Sequence, residues 1–253
     1  MFVNNRNRYY MKRILTIVLF FGLCISLGHS QDFKDTRIPL IGESAPKFTA
    51  ESTMGMINFP DDYFAKWKIL FSHPADFTAV CSSEILELAS LQEEFKKLNT
   101  QLVVISTDAV SSHIEWVKSL ETVNYKGREP VKINFPLVSD KTLEVSKKYG
   151  MLHSYSSTTK DVRGVFIISP DDNVRAVFFY PLEIGRNMEE IKRTLIALQT
   201  AEKNTVLIPA NWEPGQDVML PSPKTSAEAD KLMLEQKPGV YGINWYMWFK
   251  KLD

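Results

Sequence analysis

The sequence predicts an α/β domain whose parallel or mixed sheet is covered by helices on both faces. Two observations carry that prediction. Lys68-Ile-Leu-Phe-Ser72, Leu102-Val-Val-Ile-Ser106 and Val165-Phe-Ile-Ile168 are short, largely apolar runs without polar alternation, as expected of strands buried on both faces. Between them the period changes to that of a helix, as at Ile85, Leu88, Leu91, Phe95 and Leu98. Strands that alternate with helices give a layered sheet.

Taken in order, Gly42-Glu-Ser-Ala-Pro46 begins the domain, and Lys68–Ser72 is its first buried strand. A helix follows from Thr78, and Leu102–Ser106 is the next strand. Ser112-His-Ile-Glu115 has capping-box spacing and predicts the start of a helix through Ile114, Val117 and Leu120. Phe135-Pro-Leu-Val138 predicts a short strand, and Lys141 to Tyr149 a short helix. Val165–Ile168, the turn Pro170-Asp-Asp-Asn173, and Val174 to Phe179 predict a strand pair. Gly185-Arg-Asn187 leads into an amphipathic helix from Met188 to Ala201. Composition then shifts near Thr205: Pro209, Pro214, Pro221 and Pro223 interrupt any long helix, and Ser226 to Glu235 reads as one short helix. The aromatic end, Tyr241-Gly-Ile-Asn-Trp-Tyr-Met-Trp-Phe249, is too small to enclose a core and is expected to pack on the main domain or on a second subunit.

The 253 residues carry 30 basic and 30 acidic side chains, and 44% are apolar. A zero formal net charge gives no long-range attraction for nucleic acid, so a nucleic-acid partner is not expected. The first thirty residues read as a secretory signal. Arg6, Arg8, Lys12 and Arg13 precede an apolar run from Ile14 to Leu27, and small residues at Gly28 and Ser30 form a cleavage pair before Gln31. Export to the periplasm or beyond is therefore expected, with an uncleaved membrane anchor as the alternative. Cleavage removes Cys24 and leaves Cys81 alone, which rules out an internal disulfide or a multi-cysteine metal site.

Cys81 lies in Phe71-Ser-His-Pro-Ala-Asp-Phe-Thr-Ala-Val-Cys-Ser-Ser-Glu84, between a buried strand and an amphipathic helix. In the first turn of that helix, unpaired amides and the positive end of the macrodipole favour an anion, hence a thiolate. Thiolate is the nucleophile, and peroxide carries it to sulfenic acid. Pro74 shapes the loop, and the Thr78 hydroxyl, three residues before Cys81, can accept one hydrogen bond and donate another. These residues alone also fit a buried structural cysteine beside a helix-capping threonine.

The wider pattern decides between them. Pro74 to Cys81, Pro-x-x-x-Thr-x-x-Cys, resembles the active-site signature of the peroxiredoxins. Together with Ser72-His73-Pro74 and Asp76-Phe77-Thr78 it resembles the one-cysteine, Prx6-type branch of the AhpC/TSA family. The likeness continues through Val165-Phe-Ile-Ile, Tyr180-Pro181, Gly185-Arg-Asn187, Pro209-Ala-Asn-Trp212 and Val218-Met219, from Ile41 to Pro223. The resemblance implies a thioredoxin-like mixed sheet flanked by helices over residues 38–203, a small C-terminal peroxiredoxin segment over 204–253, and a homodimer.

By the same resemblance Cys81 is the peroxidatic cysteine, Thr78 activates the peroxide, Pro74 shields the pocket, and Arg163 lies against the sulfur. Glu84 and Arg186 match the positions that tie the arginine network together. His73 matches a histidine of the one-cysteine branch, reading here as a hydrogen-bonding partner of the loop, with tuning of Cys81 the alternative. No cofactor and no metal are implied. The expected partners are a hydroperoxide and an external thiol reductant, such as a thioredoxin-like protein or glutathione. Two departures stand out. Phe64-Ala-Lys-Trp67 has lysine where some relatives carry a phospholipase serine, so that activity is not expected, and the export signal is unusual for a largely intracellular branch. Rival readings are a non-enzymatic holdase on the same fold, a disulfide oxidoreductase (disfavoured without a Cys-x-x-Cys pair), and a membrane-interface patch at Trp245, Tyr246, Trp248 and Phe249.

Overall fold

In a computed structural model that describes residues 37–235 and 237–252, the buried runs form the middle of a seven-stranded sheet. The elements are β1 (Phe48–Ser52), β2 (Gly55–Phe59), β3 (Trp67–Ser72), α1 (Ala79–Lys97), β4 (Thr100–Ser106), α2 (Val110–Leu120), β5 (Leu137–Ser139) and α3 (Glu144–Lys148). They continue with β6 (Arg163–Ile168), β7 (Val174–Tyr180), α4 (Met188–Asn204), β8 (Val218–Met219), α5 (Ser226–Glu235), β9 (Val240–Gly242) and β10 (Trp248–Lys250). The strand order is β2-β1-β5-β4-β3-β6-β7. Strands β3, β4 and β5 run parallel, and β1 and β6 join them antiparallel, so the sheet is mixed as predicted.

Every residue of β3 and β6 is buried, which is why these strands lack alternation in the sequence. The period of two sorts their side chains between two cores. Ile69, Phe71, Val104, Val165 and Ile167 pack under Ile85, Leu88 and Phe95 of α1, Trp116 and Leu120 of α2, and Ile191 and Leu195 of α4. Leu70, Val103, Ile105, Phe166 and Ile168 face the other way, onto Phe48, Ile57, Phe59, Val145, Tyr149 and Met151. Both faces are therefore covered.

Two expectations are corrected. Helix α2 begins at Val110 with Ala109 as an extended N-cap that makes no side-chain cap bond, so Ser112 lies inside the helix. Glu115 bonds Lys118 rather than closing a capping box. The Lys141–Tyr149 helix shortens to Glu144–Lys148, because Leu143 before it sits in the left-handed region at φ +61°. Helix α4 does start at Met188, where the Asn187 side chain accepts from the Glu190 amide, and it runs three residues past Ala201.

The C-terminal segment packs on the main domain: Val206, Trp212 and Val218 bury against Ile196 and Ala197 of α4. Its three strands form a small sheet in the order β8-β10-β9. Trp248 is buried, while Tyr241, Trp245 and Tyr246 are exposed. No helix among the described residues is long and apolar enough to cross a membrane. The segment read as a secretory signal, residues 1–30, lies outside the described residues.

Candidate active site

The site gathers where β3 hands the chain to α1. Thr78 is the extended N-cap of α1, and Cys81 is the third helical residue. The amides of Ala79, Val80 and Cys81 precede the first intrahelical bond, from the Ser82 amide to the Thr78 carbonyl at 2.9 Å. The Cys81 sulfur thus sits at the positive end of a 19-residue helix, fully buried. The Thr78 hydroxyl donates to the Ala75 carbonyl at 2.9 Å, leaving its lone pairs as acceptors.

The antiparallel register sets Phe71 opposite Val165, which brings the start of β6 alongside the end of β3. Arg163 Nη1 reaches Cys81 Sγ at 3.3 Å and Glu84 Oε2 at 2.7 Å. Its Nε and Nη2 both donate to the Leu182 carbonyl, at 3.1 and 2.6 Å, so the guanidinium is fixed at both ends. Arg186 clamps the other side of Glu84, donating from Nε and its backbone amide to Oε1 and from Nη2 to Oε2, each at 2.8 Å. Its Nη1 spans the carbonyls of Ser72 and Gly164, both at 2.8 Å. Burial pushes the Glu84 carboxyl upward, but Arg186 and then Arg163 outweigh it and hold the group below the usual carboxylate range. One carboxylate against two guanidiniums leaves an excess positive charge beside the sulfur.

Gly164 makes this approach possible. A β-carbon there would stand 3.0 Å from Ser72 Oγ and 3.1 Å from the Phe179 ring, while its amide donates to Ser72 Oγ at 2.8 Å.

Cys81, Arg163, Glu84 and Arg186 are therefore joined directly, with Thr78 at the head of the same turn and half-buried Pro74 in the loop before it. His73 lies in a separate network. Its Nε2 is 3.0 Å from Asp76 Oδ1, and both Asp76 oxygens are 2.9 Å from His113 Nδ1. No role is expected of Asp76 or His113 from sequence. His73 and Asp76 stand three apart in the loop, but His113 lies 37 positions further on, so no local spacing signals the trio. His73, Asp76 and His113 are also the only trio among the described residues placed to offer metal-ligand atoms within 4.8 Å of one another.

Residues 41–177 match the AhpC/TSA family model, and residues 197–236 match the C-terminal domain of 1-Cys peroxiredoxin. A peroxiredoxin of Methanosarcina mazei is 48% identical over 215 residues, covering 85% of this chain and 98% of the relative. A peroxiredoxin of Aquifex aeolicus is 42% identical over 225 residues, with the same two coverages. Among solved structures, a yeast mitochondrial 1-Cys peroxiredoxin, studied for thiol resolving via glutathione/thioredoxin systems, matches with a TM-score of 0.73. It is 34% identical, over 85% of this chain and all of that one. A cysteine-to-serine mutant of peroxiredoxin 6 of Arenicola marina also gives 0.73, at 31% identity over 85% of this chain and 98% of that one. The chain belongs to the AhpC/TSA family and is a peroxiredoxin enzyme with a thioredoxin-like fold.

Proposed function

We propose that Cys81 is the peroxidatic cysteine of a one-cysteine thiol peroxidase that reduces hydrogen peroxide and small organic hydroperoxides. The observation that carries this reading is the 3.3 Å contact of the fixed Arg163 guanidinium with the buried sulfur. Guanidinium and helix N-terminus together place positive charge against the sulfur as it attacks. The thiolate attacks one peroxide oxygen, an S–O bond forms, and the O–O bond breaks. The hydroperoxide's own proton leaves on the departing water or alcohol, and the sulfenate takes up a solvent proton to become sulfenic acid. Arg163 donates toward the charge that develops as the O–O bond lengthens, from a position already fixed by Leu182 and Glu84. Thr78, its proton committed to Ala75, accepts the hydrogen bond of the incoming hydroperoxide. Glu84 and Arg186 position Arg163, and Pro74 screens the loop side of the sulfur.

With Cys24 removed, no second cysteine remains to resolve the sulfenic acid, so an external thiol condenses with it, releasing water. A second thiol then releases Cys81 and leaves as disulfide. The thiol-resolving systems named for the yeast neighbour, glutathione and thioredoxin, are the reductants to try first. We assign the exported compartment to the enzyme on its N-terminal pattern, and a homodimer on the exposed aromatics of its C-terminal segment. The test of the chemistry is peroxide consumption with added thiol. Wild type turns over and Cys81→Ser does not; full activity in the folded serine variant overturns the assignment.

A further inference from the structure

Beneath the loop that leads to Cys81 lies a second buried cluster of ionisable groups. His73, Asp76 and His113 are 1%, 7% and 0% exposed. Asp76 faces His73 Nε2 at 3.0 Å and His113 Nδ1 at 2.9 Å, and His113 Nε2 faces the Val138 carbonyl at 3.1 Å. A carbonyl and an ionised carboxylate only accept, so each contact needs an N–H. His113 then carries N–H on both ring nitrogens, His73 carries it on Nε2, and Asp76 carries no proton. Burial pushes His73 down, toward the neutral ring, against the pull of Asp76. Asp76, though burial pushes it up, is held well below the usual carboxylate range by hydrogen bonds from His113 and His73. The last ring nitrogen, His73 Nδ1, is a buried lone pair with no partner among the described residues.

A metal fits this spacing less well than protons do. Tetrahedral zinc at about 2.0–2.1 Å from each ligand would spread the ligand atoms to roughly 3.3 Å. The observed 2.9–3.0 Å is the spacing of N–H···O bonds.

The backbone at Asp76 is itself anchored by Asp108. The Asp76 amide donates to Asp108 Oδ2 at 2.8 Å, and Lys160 holds the other Asp108 oxygen at 2.8 Å. The next residue, Phe77, is in the left-handed region at φ +54°, a strained conformation for a bulky side chain. Thr78 follows as the N-cap, and Cys81 one turn later. Such strain persists only where the surroundings over-determine it.

We propose that Asp76 and His113 are positioning residues of the peroxidase site: they lock His73 as the Nε2–H tautomer and hold the strained turn at Phe77 that places Thr78 and Cys81. This rests on Cys81 being the nucleophile, which Cys81→Ser tests separately; the tautomer of His73 is readable whatever that variant does.

The experiment uses the full chain labelled with ¹⁵N-histidine. Nitrogen–proton correlation spectra read the tautomer of His73 in wild type, Asp76→Asn and His113→Gln, and elemental analysis reads zinc. Rates of Cys81 oxidation are then measured on every variant that circular dichroism finds folded. The expected result is Nε2–H with a bare Nδ1 in wild type, and a mixed tautomer in Asp76→Asn. Oxidation in the folded variants should be slower by about tenfold or more, in keeping with misplacement of Thr78 and Cys81 relative to the incoming peroxide. Nδ1–H in wild type, or one zinc per chain that His113→Gln removes, overturns the proposal. So do folded variants whose oxidation rates stay within about twofold of wild type.

Discussion

Replacing Asp161 with asparagine should abolish a pH dependence of stability that the fold builds in. Asp161 is fully buried at the foot of β6, and neither carboxylate oxygen has a hydrogen-bond partner among the described residues. Burial is the main cause that raises its pKa from 3.8 to about 8. The Ser146 hydroxyl, already engaged with Asp140 at 2.7 Å, offsets this only in part, and the Asp140 charge adds to it. The folded chain therefore keeps a proton that the unfolded chain releases, across the window between those two values. Unfolded minus native proton uptake is negative there, so stability falls as pH rises, by about 1.4 kcal/mol per pH unit. From about pH 5 to 8 the loss attributable to this carboxyl is about 4 kcal/mol, flattening above the folded pKa. His73, whose pKa burial lowers, contributes the opposite slope below its ordinary value, so the difference between variant and wild type is the useful quantity. Urea unfolding of both proteins at successive pH values measures it. The advantage of Asp161→Asn should grow steadily over that range. A difference that stays level across it refutes the reasoning.

Other expectations follow from the same geometry. Arg163→Lys cannot hold Leu182, Glu84 and the sulfur at once, so stopped-flow oxidation of Cys81 should slow about 100-fold or more, as on loss of a preorganised donor. Glu84→Gln leaves two buried guanidiniums short of a counter-charge and should lower unfolding free energy by about 3–5 kcal/mol, read by chemical denaturation. Because the Glu84 pKa is lowered on folding, the ionised group stabilises the chain above the ordinary carboxylate range. That stability should fade as acid protonates it, and the Glu84→Gln variant should lack this part of the acid transition. Deleting the residues after Tyr241 removes β10, the central strand of the small sheet; if the proposed homodimer forms through this segment, light scattering should report a dimer for the full chain and a monomer for the truncated one.

The sequence discloses the sheet best where its strands are most buried. Strands β3, β4 and β6 read as largely apolar runs without alternation because nearly all of their residues are buried, on both faces of the sheet. The edge hairpin β1–β2 escapes such a reading, since its residues alternate between core and solvent over only five positions each, around a turn at Gly55. Helix α2 is recognisable from its period, but its start is not, because Ser112 and Glu115 match a capping pattern that local hydrogen bonding does not use. For the site, helix period places Cys81 and Thr78 at the start of α1, but those residues alone fit a structural cysteine as well, and the family resemblance decides between the readings. Arg163 and Arg186 are 82 and 105 positions from Cys81, and only the family resemblance places them beside it. The Asp76–His113 contact spans 37 positions without any motif that joins its two ends, so folding alone brings it together.

The central claim, that Cys81 is an activated nucleophile, is tested most directly by intact mass of the mature protein with a thiol trap, before and after one equivalent of hydrogen peroxide. Rapid gain of one oxygen at Cys81, its reversal by added thiol, and a strongly slowed gain in Arg163→Lys are expected. A wild-type cysteine that stays unmodified over minutes, or an Arg163→Lys rate equal to wild type, would contradict the claim.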